Sequence, residues 1–283
     1  MAAKISKILV INVARIGDTL LTTPVLRALK NTFPNARLDC LAHPKRAAVL
    51  QGLEWLDSLA SITPKRATWR GWFSGKHWDY ALVYGHDAAL IRYAARVAAR
   101  VIAFEQADAD INRLLWRAVT FSVPREQMHA VEEHALLASA LCVETRDQRL
   151  AYRASETELK NARMWLAKNI PVHVAPLVGM QIASFPTKAY RDWPLENFVA
   201  LGRRILQEFP KAHMLILGGK ESVAKARHLA SELAGHATSV AGDFDLRGSA
   251  ALMRCSIIVI IPAHDWRRRI IPCSESWTIR ASA

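Results

Sequence analysis

Arg15-Ile16-Gly17-Asp18 sets a glycine and a carboxylate directly after the apolar run KILVINV (Lys7–Val13). Glycine lets the backbone turn tightly, and a carboxylate at a strand end can take a proton from an attacking hydroxyl. An Asp in that place can equally cap the next helix by accepting from its free N–H groups; spacing alone leaves both readings open. A second group is Ser184-Phe185-Pro186-Thr187-Lys188, followed by Arg191-Asp192-Trp193-Pro194. Hydroxyls and cations between a strand and a helix N-terminus suit a phosphate, although a surface loop with ordinary charges has the same composition. Leu217-Gly218-Gly219-Lys220-Glu221 closes another apolar run with two glycines. They admit a ligand close to the backbone or simply make a turn, and they lack the G-x-G-x-x-G dinucleotide pattern. His129-x-x-Glu132 falls on one helical face and reads as a structural contact rather than a metal site.

A fifth stretch is set apart by its charge. Between Asp57 and Asp79 no acidic residue occurs, yet Lys65, Arg66, Arg70 and Lys76 alternate with Trp69, Trp72, Phe73 and Trp78. Such interleaving suits a membrane interface or a phosphosugar groove; the alternative is a solvated loop whose tryptophans pack on the domain. The whole chain carries a formal net charge of +13, which draws it to anionic partners. No nucleic-acid reader motif is recognisable, so nucleic acid is not an expected partner. The four cysteines are far apart and the ten histidines show no metal spacing. Reduced thiols, no metal and no cofactor are expected. No apolar run approaches the roughly 20 residues of a membrane-spanning helix, and the N-terminus does not read as a signal peptide. A cytoplasmic protein is expected.

The elements that must position these residues alternate. KILVINV, RLDCLA (Arg37–Ala42), WDYALVY (Trp78–Tyr84) and VIAF (Val101–Phe104) read as strands, with helices over Thr19–Phe33 and Ala88–Ala99. Buried parallel strands joined by helices make βαβ units. Ser155-x-x-Glu158 is a capping-box pattern opening a helix to Asn169. NIPVHVAPLVG, with two prolines, reads as a linker. A second alternation follows: VGMQIASF, a helix over Pro194–Phe209, HMLILGG (His213–Gly219), and helices over Glu221–Gly235 and Leu246–Met253. The expected architecture is α/β in two domains, residues 1–170 and 171–283, with ligands beyond the carboxyl ends of the strands.

Read together and in this order, these stretches resemble glycosyltransferase family 9, the ADP-heptose:lipopolysaccharide heptosyltransferases. ILVINVARIGDTLLTTPVLRALKNTFPNARLDCLA is similar to the family's opening strand, G-D loop and proline-led helix. WDYALVYGHDAALIRYAARVAARVIAF, HAVEEHALLASAL, PTKAYRDWPLENFVALGRRI, LILGGKES and VAGDFDLRGSAALMRCS match in sequence order, covering residues 5 to about 257. The resemblance implies two Rossmann-like domains, the GT-B fold, the first for the acceptor and the second for ADP-heptose. It implies inverting, metal-independent transfer to the lipopolysaccharide core at the anionic inner face of the inner membrane. Asp18 matches the family's catalytic base. Ser184, Thr187, Lys188, Arg191, Gly218, Gly219 and Glu221 would hold the donor. Arg15, Gly17, Lys65, Arg66 and Arg70 would face the acceptor.

From about residue 258 the pattern changes. The family continues with a strand and a D-T-G-P-x-H loop at the nucleotide phosphates; this chain reads IIVIIPAHDWRRRIIPCSESWTIRASA. The second domain is therefore expected to be incomplete, with the tail on the surface, ADP bound weakly or not at all, no heptose transferred and a tendency to aggregate. The alternative function is an inactive remnant or an acceptor-binding module lacking a complete donor site.

Overall fold

Val, Ile and Leu fill the centre of Lys7–Asn12 (β1), and every residue after Lys7 is buried. A strand so apolar on both faces must be covered on both sides and lie inside its sheet. The computed structural model describes residues 5–121, 123–124, 127–183 and 192–256, and the backbone of 258–260. The chain divides into two units, one ending at Arg153 and one beginning at Ala154.

In the first unit β1 is followed by α1 (Ile16–Leu20), α2 (Thr23–Thr32), β2 (Arg37–Ala42), β3 (Ser58–Ser61) and α3 (Pro64–Trp69). Then come β4 (Trp78–Val83), α4 (Ala88–Val97), β5 (Ala98–Phe104), α5 (Ala109–Asn112), β6 (Arg117–Val119) and α6 (Ala130–Ser139). The six strands lie in the order β3-β2-β1-β4-β5-β6 and every pairing is parallel. This is the doubly wound order, whose connections diverge between β1 and β4 and leave a crevice there. Leu9, Ile11, Ala81, Val83, Leu90, Ile91, Ala94 and Val101 share one buried cluster, which seats α4 on the sheet.

The helix expected over Thr19–Phe33 is two helices, and it starts earlier, at Ile16. Pro24 lies in the first turn of α2, where its missing N–H and fixed φ are tolerated. The threonines ahead of it take up main-chain acceptors at the join. Thr19 donates to the Arg15 carbonyl at 2.8 Å, Thr22 to that of Thr19 at 2.6 Å and Thr23 to that of Leu20 at 2.7 Å.

The second unit contains α7 (Glu156–Asn169), β7 (Leu177–Gln181), α8 (Leu195–Glu208), β8 (His213–Leu217), α9 (Val223–Glu232), β9 (Ala237–Ser239), α10 (Leu246–Cys255) and β10 (Ile258–Ile260). Its parallel sheet runs β10-β7-β8-β9. Alternation along β8 divides the core. Met214 and Ile216 join Phe198, Ala226 and Leu229, whereas Leu215 and Leu217 join Ala162, Ala251 and Leu252. Period-two side chains thus bury α8 and α9 on one face and α7 and α10 on the other.

The division between units precedes residue 170. Helix α7 belongs to the second unit: it packs on α10, and Arg247 holds Glu158 through both Nε and Nη2. The expected capping box is present, with Ser155 Oγ accepting from Glu158 N at 3.2 Å and Glu158 Oε2 accepting from Ser155 N at 2.7 Å. Pro194 caps α8 instead of occupying its first turn. The strand expected near Ile257–Ile261 is β10, parallel to β7. The tail beyond it lies outside the described residues.

Candidate active site

β1 ends at Asn12, and the chain leaves the sheet's carboxyl edge beside the crevice between β1 and β4. Arg15 takes an extended conformation at the N-cap of α1 without a side-chain cap bond, so Asp18 is not the cap. It lies within the first turn, where the helix N-terminus favours negative charge. Asp18, Gly17 and Arg15 are all exposed. Among the described residues no hydrogen bond or ion pair engages the Asp18 carboxylate.

Its main chain, by contrast, is fixed. Asn12, fully buried, donates Nδ2 to the Asp18 carbonyl at 3.0 Å. Asn12 Oδ1 is buried with no partner among the described residues. His134 on α6 lies next to the same turn. Its Nδ1 donates to the Ala130 carbonyl at 2.8 Å, and its ring stacks on Tyr84, with centroids 4.9 Å apart. Tyr84, at the end of β4, donates its hydroxyl to the His134 carbonyl at 3.0 Å. Burial pushes the His134 imidazole below its ordinary value and keeps it neutral; the Ala130 bond and the charges of Glu133 and Asp18 pull the other way. Burial also raises Tyr84, which stays a phenol.

The neighbouring loops add cations. Arg46, beyond β2, donates Nη1 to the Ala14 carbonyl at 2.9 Å and so ties the β1–α1 loop to the β2 loop. His43 on that loop is lowered by burial and by the charges of Arg46 and Lys45. One carboxylate, the rings of His134, Tyr84 and His43, and several cations therefore gather at the carboxyl edge. That set can accept a proton and attract an anionic ligand.

Lys65, Arg66 and Arg70 do not all share this edge. Lys65 and Arg66 are exposed in α3, whose N-cap Thr63 follows β3. Arg70 is held at the opposite end of the sheet. Its carbonyl accepts from Arg96 Nε at 3.0 Å, in the last turn of α4, just before β5 begins. Of the tryptophans around these cations, Trp78 turns inward and donates to Asp39 at 2.9 Å, whereas Trp69 and Trp72 stay exposed.

In the second unit Gly218 and Gly219 follow β8. A Cβ on Gly218 would lie 2.9 Å from Ser222 Cβ, and its carbonyl accepts from Gly242 at 3.1 Å. This turn is close-packed protein as well as a possible ligand approach. At Gly219 the near atoms belong to the exposed Glu221 carboxylate, the movable end of a side chain. Ser184, Thr187, Lys188 and Arg191 lie outside the described residues. In sequence they follow β7, which with β10 flanks the point where this second sheet reverses its strand order.

His129 and Glu132 form the capping box of α6: His129 Nδ1 accepts from Val131 at 3.3 Å, and Glu132 accepts from His129 N at 3.1 Å. Among the described residues no group of three or more His, Cys, Asp or Glu could hold a metal ion. Asn12, Tyr84 and His134 were not singled out from sequence. One signal was legible: Asn12 is the lone polar residue inside KILVINV.

A family model, Glycosyltransferase family 9 (heptosyltransferase), matches residues 86–262, more than half of the chain. The chain belongs to glycosyltransferase family 9. Solved structures share the fold. The glycosyl transferase family 9 protein from Veillonella parvula DSM 2008 is 17% identical with a TM-score of 0.79, over 92% of this chain and 75% of that one. E. coli ADP-heptose lps heptosyltransferase II is 17% identical at a TM-score of 0.68, covering 89% and 78%. E. coli heptosyltransferase WaaC, solved with ADP-2-deoxy-2-fluoro heptose, is 16% identical at 0.66, covering 89% and 81%. Among curated proteins no sequence matches. The family 9 match begins after β4, so the Asp18 turn lies outside it.

Proposed function

We propose that this family 9 glycosyltransferase moves heptose from ADP-heptose to the inner core of lipopolysaccharide, working from the cytoplasm at the inner face of the inner membrane. The first unit takes the acceptor, with Arg15 and Gly17 beside it. The second takes the donor through Ser184, Thr187, Lys188, Arg191, Gly218, Gly219 and Glu221. An acceptor hydroxyl attacks the anomeric carbon from the face opposite ADP, and Asp18 takes the hydroxyl proton. The bond from that carbon to the phosphate oxygen breaks, and ADP leaves with the electron pair. The anomeric centre is inverted. Lys188 and Arg191 offset the charge that grows on the departing diphosphate.

The observation that carries this reading is the Asp18 turn: an exposed carboxylate, without a partner among the described residues, at a helix N-terminus beside the crevice of a doubly wound sheet, with its backbone fixed by Asn12. A general base needs its acceptor oxygen free and its position fixed. The donor is supported by the E. coli relative solved with a fluorinated ADP-heptose.

Calorimetric titration with ADP, followed by a transfer assay with ADP-heptose and a heptose-free core acceptor, tests the proposal. We expect ADP binding weaker than that of the E. coli relatives, because the chain's ending departs from the family pattern, and detectable heptose transfer. Lys188→Ala should weaken ADP further. No ADP binding by the native chain would instead assign it as an acceptor-binding module without a working donor site.

A further inference from the structure

Trp69 is 81% exposed, Trp72 64% and Phe73 104%, within five residues of sequence. Each aromatic side chain offers on the order of 150–250 Å², so three in water make a patch as large as most monomers show anywhere. Around them Lys65, Arg66, Arg70 and Lys76 are exposed, and no acidic residue interrupts the stretch from Asp57 to Asp79.

This projection is built, and Arg96 builds it. From the last turn of α4 its Nε donates to the Arg70 carbonyl at 3.0 Å, and Nη2 donates to that of Ala67. Its guanidinium lies 4.7 Å from the Trp72 ring centre, and Trp72 Nε1 donates to the Thr68 carbonyl at 2.9 Å. Gly71, at φ +82°, packs so tightly on α4 that a Cβ would come within 2.8 Å of Val97 Cγ1. A partly buried arginine and a left-handed glycine thus hold the loop in one shape, with Trp69 and Phe73 outward. Arg70 and Gly71 are held against Arg96 and Val97 at the amino edge of the sheet, and Lys65 lies at the start of α3, which follows β3.

We propose that Trp69, Trp72 and Phe73 are a membrane anchor that enters the interface of an anionic bilayer, with Lys65, Arg66, Arg70 and Lys76 on its headgroups. Tryptophan favours that depth, and cations beside it gain from an anionic leaflet. Charge argues against a second copy as the occupant, since pairing the patch with itself would set cations against cations. The surface bears on where the reaction takes place, and it stands whether or not the proposed transfer is correct.

Sedimentation of the full chain with vesicles of phosphatidylcholine and phosphatidylglycerol, against pure phosphatidylcholine, tests this without ADP or sugar. A failure here would therefore leave the transfer reading untouched. We expect binding to the anionic vesicles that falls with salt, and quenching of tryptophan emission by brominated lipid. Trp69→Ser/Phe73→Ser should weaken binding about tenfold or more and reduce the quenching; neither side chain is buried, and an unchanged melting temperature will show the fold intact. Lys65→Ser/Arg66→Ser/Arg70→Ser should flatten the salt dependence. Equal vesicle binding by the aromatic double variant would overturn the anchor. So would a self-association of the native chain that this variant abolishes while vesicle binding stays the same.

Discussion

Replacing Asp18 by Asn removes the proton acceptor and keeps the side-chain volume. Turnover should fall about 10²-fold or more, the usual worth of general-base catalysis, with ADP affinity unchanged in calorimetry. Native turnover in Asp18→Asn would remove it from the mechanism. His134→Phe keeps the ring on Tyr84 and deletes the nitrogen that bonds the Ala130 carbonyl. If His134 positions the Asp18 turn, kcat should drop about tenfold or more while ADP binding holds, because small misplacements of a reacting group are costly. Equal losses in kcat and in melting temperature would make it only a packing residue. The sequence exposed Asp18 because strand, glycine and carboxylate adjoin within a few residues. Asn12, Tyr84 and His134 come from β1, the end of β4 and α6, and only folding brings them together. No local pattern could have paired them.

At the scale of elements, the close-packed turn after β8 separates two roles for its glycines. Gly218→Ala drives a methyl against Ser222 and Ala241 and should cost about 1–3 kcal/mol, as overpacking does. Gly219→Ala displaces only the Glu221 side-chain end and should cost less. Melting curves without ligand show this; equal melting temperatures for the two variants would contradict it. Long apolar strands and capped helices were readable because their signals are local: β-branched runs, Pro24 near a helix start, Ser155 with Glu158. The strands that escaped, β3, β6 and β9, are three or four residues long and sit at sheet edges. An edge strand is covered on fewer sides and lacks the apolar run that marks β1. The boundary between units was misplaced for a related reason. Pro171 and Pro176 look like a linker, yet the Glu158–Arg247 pair had already committed α7 to the second unit.

For the whole molecule, acid should unfold the protein in two stages. Burial lowers His134 and His213 below 6.5, so the unfolded chain binds their protons first. That stability is complete above about pH 6.5 and is lost as pH falls below it. The bond from Arg149 holds Asp147 at about 2, and that from Arg247 holds Glu158 at about 2, against ordinary values of 3.8 and 4.5. Their contribution is present above those values and disappears as pH falls toward 2. Melting temperature against pH should therefore step down below about 6.5 and again below about 4.5, and Glu158→Gln should shrink the second step. A single transition insensitive to that substitution would refute the account. The strand order also sets a timetable. β1 is made first but lies between β2 and β4, so on the ribosome one of its edges stays bare until residue 83 has emerged. β7 waits longer, from residue 181 until residues 258–260 supply β10. Any pause in synthesis between these points leaves an apolar strand edge open to other chains, so the nascent protein should depend on chaperones most while its second sheet is half built.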